Sequence, residues 1–75
     1  MTDRDALLDA IAARPADDLP RLVYADWLDE HGEPAQAEFT RVHVQLARTP
    51  PWARDYRPLF RRAAELFEAN WRTWV

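Results

Sequence analysis

The apolar residues of this 75-residue chain recur at three- and four-residue intervals, and the rhythm breaks at proline and glycine. That spacing gathers side chains on one face of an α-helix and rules against strand-like alternation. A first helix is expected from Asp3 to about Ala13, with Thr2 as its cap and Asp5 in the capping-box position. Leu7, Leu8 and Ile11 form its stripe, Asp3, Asp5 and Asp9 suit its positive end, and Pro15 stops it. A second helix starts at Asp17 or Asp18, tolerates Pro20 in its first turn, and ends at His31. Gly32 follows as the left-handed C-terminal residue. Leu19, Leu22, Val23, Tyr24, Ala25, Trp27 and Leu28 cover most of this second wheel, so it is expected to be the central helix, packed on more than one side.

Pro34 opens a third helix at the first helical position, with Glu33 as its cap. Ala35, Phe39, Val42 and Leu46 give it the stripe of a half-buried helix, and Thr49-Pro50-Pro51 closes it. The last helix begins near Asp55 and carries Phe60, Ala63, Phe67, Trp71 and Trp74, with Leu59 and Leu66 widening the face. Connections of about four residues and of one or two residues make neighbouring helices antiparallel or steeply crossed. The expected fold class is all-α, a compact array of four short helices forming a single domain over residues 1–75.

Composition narrows the function. A chain this short buries only ~60–65% of the surface its unfolded form exposes. Nine aromatic residues partly offset that, because each large ring removes ~150–250 Å² from water. Without cysteine there is neither a disulfide framework nor a thiolate, which suits a cytoplasmic protein better than a secreted scaffold. No apolar run reaches the ~20 residues of a membrane span, and the acidic N-terminus lacks the apolar core of a signal peptide. The net charge of −3 hides an asymmetry: residues 1–33 sum to −6 and residues 34–75 to +3. All ten basic residues are arginine. A two-signed chain can pair with itself, associate head to tail, or offer its faces to different partners.

Chemistry-bearing constellations are sparse. His31 and His43 fall on different helices without the i, i+4 partner that zinc sites use, so no metal is expected. His31 beside Gly32 suits the negative end of the second helix. No nucleophile–base pair, carboxylate pair or glycine-rich phosphate loop can be drawn, so neither catalysis nor a cofactor is expected. Tyr24 and Trp27 are expected in the core, and Asp29 and Glu30 on a solvated face. Asp26 lies between Leu22 and Val23 on the wheel, and a carboxylate on an apolar side needs a partner. Arg41 is the preferred one, in a structural ion pair whose loss through Asp26→Ala would cost roughly 2–4 kcal/mol.

Residues 6–48 carry a more specific signal. Ala6-Leu7-Leu8-Asp9-Ala10-Ile11 is followed by Pro20-Arg21-Leu22-Val23-Tyr24-Ala25-Asp26-Trp27-Leu28, by Asp29-Glu30-His31-Gly32, and by Glu38-Phe39-Thr40-Arg41-Val42. This series closely resembles the bacterial repeat-companion domain, a short N-terminal module often found ahead of leucine-rich repeats. Leu66 and Trp71 resemble its weaker C-terminal part, so the resemblance spans nearly the whole chain. The chain departs from the family at Ala37, where members tend to have glycine, and at Thr40, where they have an aliphatic residue. The resemblance implies no reaction, cofactor or catalytic residue.

The expected function is a non-catalytic protein–protein interaction or scaffolding module, monomeric or weakly self-associating. Its contact surface is assigned to Trp71 and Trp74, rings at a chain end, and to the arginine face of Arg57, Arg61 and Arg62. The alternative is a small helix-turn-helix-like nucleic-acid binder reading with the third helix through Arg41 and Arg48, against which the acidic first half and a pI of about 5.2 both argue. A third reading is a cap for leucine-rich repeats, which do not occur within these residues.

Overall fold

Asp17 begins the second helix by turning its side chain back on its own backbone: the carboxylate accepts from the Leu19 amide at 3.0 Å. Both ends of α2 have causes of this local kind. The computed structural model describes residues 3–74, so the expected cap Thr2 and the terminal Val75 lie outside the described residues. It contains α1 (Asp3–Ala13), α2 (Asp18–Glu30), α3 (Pro34–Ala47) and α4 (Tyr56–Trp74). The fold is all-α, a compact four-helix array with no strand among the described residues.

The α2 C-terminus is a Schellman motif. Glu33 N–H donates to the Leu28 carbonyl at 2.8 Å and Gly32 N–H to the Asp29 carbonyl at 3.4 Å, with Gly32 at φ +77°. The last-turn carbonyls of Asp29 and Leu28 are thereby satisfied, Leu28 also accepting from the His31 N–H at 3.2 Å, and glycine takes that φ without the Cβ penalty. His31 adds a third contact: its Nδ1 donates to the Trp27 carbonyl at 2.7 Å while its ring stacks on the Trp27 indole, 3.9 Å between centroids. Glu33 makes no side-chain cap hydrogen bond to α3, contrary to expectation. The Glu33 backbone, at φ −119° and ψ 57°, lies outside the extended region that a capping residue adopts, and Pro34 follows at the first helical position. The α2–α3 connection is three residues, 31–33, and the α3–α4 connection is eight, 48–55.

The helices pack in chain order: α1 on α2, α2 on α3, α3 on α4, and no other pair meets among the described residues. Tyr24, Ala25 and Leu28 of α2 close on Ala37 of α3, with Leu7, Ile11 and Trp27 packed around them. Ala63 and Leu66 are the buried residues of α4, whose only helical neighbour is α3. The expectation of a half-buried α3 needs correcting. Val42 and Val44 are both buried although they lie about 160° apart on the wheel, so α3 is covered on two sides. The small Ala37 lets α2 approach closely, while the Phe39 stripe is left for α4. The extents of 41 × 26 × 19 Å express this one-after-another stacking.

Candidate functional site

Arg41 stands at the α2–α3 seam and bridges two carboxylates one helical turn apart. Its Nη2 lies 2.7 Å from Asp26 Oδ1 and its Nη1 2.6 Å from Asp29 Oδ2. Both carboxylates raise the basicity of the guanidinium, the Asp26 hydrogen bond most. Two expectations change here. The Asp26 side chain is 74% exposed rather than on a buried face: it borders the open depression between α1 and α2, and its wheel neighbours Leu22 and Val23 are themselves exposed. Asp29 is not merely solvated; it shares Arg41. Arg48 pairs with Asp18 of α2. The two arginines considered for nucleic acid are therefore both engaged by acids.

Arg62 is also engaged. Its Nε and Nη2 meet the Glu38 carboxylate edge-on at 2.5 and 2.7 Å, and Nη1 reaches Glu65 at 3.5 Å. The Arg62 hydrogen bonds hold the Glu38 carboxyl below its ordinary value, and the guanidinium is made more basic in return. Arg62 thus clamps α4 to α3. The Trp74 ring is half-buried, 5.0 Å from Phe39 between centroids. Trp71 stays at the surface, 38% exposed, with the Arg72 guanidinium 5.4 Å from its ring centroid. Arg57 and Arg61 are exposed. Trp52, in the α3–α4 connection, is 86% exposed.

Three depressions follow the three seams. The one between α1 and α2 is lined by Leu7, Val23 and Trp27 under Asp3, Asp26 and Glu30. The one between α2 and α3 is polar, and its charges are matched internally: Arg48 on Asp18, and Arg21 Nη1 donating to the Asp17 carbonyl at 3.1 Å. The third, between α3 and α4, differs from both. Phe39, His43, Leu46, Phe60, Ala63, Ala64 and Phe67 line an open depression of about 400 Å³ with almost no polar surface. Phe60 is 57% and Phe67 45% exposed. Phe39 anchors the floor, its ring 4.4 Å from His43 and 6.2 Å from Phe67 between centroids.

Sequence reasoning assigned these phenylalanines to the core stripe and missed the groove. A signal was present: Phe60, Ala64, Phe67 and Trp71 follow i, i+4, i+7, i+11 spacing, roughly 40–100° around the wheel from Ala63 and roughly 100–160° from Leu66. An apolar arc that wide exceeds what one neighbouring helix covers. No three His, Cys, Asp or Glu side chains among the described residues converge as metal ligands, and none of the described helices is long and apolar enough to cross a membrane. No protein-family model matches the chain, and no curated protein or solved structure matches it.

Proposed function

We propose that the chain is a non-catalytic protein–protein interaction module of the repeat-companion type, and that the α3/α4 groove receives an amphipathic helix of the partner. The observation that carries this is the groove's wall of exposed phenylalanine. Contiguous exposed apolar surface on a small domain marks an interaction site, and aromatic and arginine side chains are the residues in which binding energy concentrates. Phe60 to Trp71 spans roughly three helical turns, or ~16 Å, the length over which a helix presents its i, i+3, i+4 and i+7 anchors. A cytoplasmic location belongs to this proposal through the cysteine-free sequence. Nucleic acid is less well supported, since α3 has helices on both sides and Arg41 and Arg48 are neutralised by Asp26, Asp29 and Asp18.

The test is capture from cell lysate on the immobilised chain, with and without nuclease, beside a Phe60→Asp, Phe67→Asp variant. Neither substituted side chain is buried, Phe60 being 57% and Phe67 45% exposed, and far-UV circular dichroism should show the fold retained. Protein retained by the wild type, surviving nuclease and lost on the variant is the expected result. Retention that vanishes with nuclease, or that the variant shares, would overturn the proposal.

A further inference from the structure

The outward face of α2 is chemically the counterpart of the α3/α4 groove. Leu19, Leu22 and Val23 are exposed there, Leu19 at 65%, and with Asp26 and Glu30 they fall within about 100° of the wheel, on the side opposite the buried Leu28. The face is an apolar ridge whose acidic C-terminal end is carried by Glu30, with Asp3 of α1 bordering the same depression, since Asp26 is already held by Arg41. The groove has the opposite sign along its outer edge. Arg57, Arg61 and Arg72 follow one side of the Phe60–Trp71 stripe, with Glu68 as the acid among them. Arg57 and Arg61 make no hydrogen bond or ion pair with another described residue, whereas Arg21, Arg41, Arg48 and Arg62 each do.

Ridge and groove cannot meet within one molecule, because α2 and α4 lie on opposite sides of α3 and do not pack. The surface area points the same way. The chain exposes 5623 Å², whereas a folded protein of its mass exposes about 4,800 Å². The excess of roughly 800 Å² is about what one partner contributes to a standard interface.

Building on the groove reading, we propose that its occupant is a second copy of this chain: the Leu19–Leu22–Val23 ridge of one copy docks in the Phe60–Phe67 groove of the next. The contact is heterologous, so each copy keeps one free ridge and one free groove, and assembly proceeds beyond a dimer unless it closes in a ring. Opposite charges at the rims make it salt-dependent.

The experiment is sedimentation equilibrium of the 75-residue chain over a concentration series. It includes the groove-edge variant Arg57→Glu, Arg61→Glu and the ridge variant Leu19→Gln, Val23→Gln. All four positions are exposed, and circular dichroism checks that helix content is unchanged. The wild type should exceed dimer mass at high concentration. Its association should weaken about tenfold or more between about 50 and 500 mM salt, as the screening length falls from roughly 14 to 4 Å. Each variant alone should be monomeric. Mixed, they should form a one-to-one heterodimer and stop, since only one intact ridge and one intact groove remain. A wild type monomeric at several hundred micromolar, variants that associate as the wild type does, or a mixture that stays monomeric would each overturn the inference. A synthetic acidic amphipathic helix, titrated by tryptophan fluorescence, separates the two failures. If it binds the wild type and not the groove-edge variant while the chain is monomeric, self-docking is wrong and the groove reading stands; if it does not bind, both fall.

Discussion

Leu28 is the largest side chain fully removed from solvent, packed where α1, α2 and α3 converge. Leu28→Ala should therefore cost about 2–5 kcal/mol, read from the urea midpoint, since a fully enclosed leucine leaves a cavity its neighbours only partly fill. Asp26 belongs at the other end of the range. With its side chain mostly in water, Asp26→Ala should cost under about 1 kcal/mol, and a double-mutant cycle with Arg41 should return a coupling of roughly 0.2–1 kcal/mol. The larger loss expected of a buried carboxylate does not apply, because burial is set by what stands over a residue rather than by its place on the wheel. Gly32→Ala makes a cleaner test of backbone preference. No atom outside its chain neighbours lies within 4 Å of the added Cβ, so the cost, about 1 kcal/mol, comes from φ +77° alone.

Among the elements, α1 is the most weakly held: none of its residues is buried and α2 is its only helical neighbour. Native-state hydrogen exchange should show its amides opening well before those of α2 and α3, because local opening there exposes little apolar surface. The α3–α4 seam carries the main pH dependence we predict. Arg62 holds the Glu38 carboxyl below its ordinary value of 4.5, so the ionised form is favoured by folding. The resulting stability is fully present above the unfolded chain's value and is lost as pH falls through the folded one. Urea midpoints from pH 7 down to about 3 should fall more steeply for the wild type than for Glu38→Gln, the two curves converging in acid. Equal slopes would show that the clamp contributes nothing. The element boundaries were legible in advance because their causes are local: a capping aspartate, a proline at the first helical position, a glycine that accepts positive φ. Glu33 failed as a cap for an equally local reason that composition hides, namely that no side-chain hydrogen bond forms from its backbone angles of φ −119° and ψ 57°.

At the scale of the whole molecule, the apolar-all-round α2 shows where pattern stops being sufficient. Its periodicity implies packing on several sides, and α1 and α3 supply two; Leu19, Leu22 and Val23 nonetheless stay exposed. The same holds for α4, whose arc from Leu66 round to Trp71 meets only α3. Helix number, punctuation and the all-α class follow from residues within a turn or two of each other, so the chain of amino acids dictates them without reference to the rest of the fold. The identity of the covered faces does not, since a helix carries the same wheel whether four helices close around one centre or stack in a row. The stacking order separates the two apolar faces, leaves Arg57 and Arg61 without an acid among the described residues, and turns a pair of core stripes into a groove and a ridge. It does so because burial and ion pairing depend on which helices become neighbours, a long-range outcome that no local spacing contains.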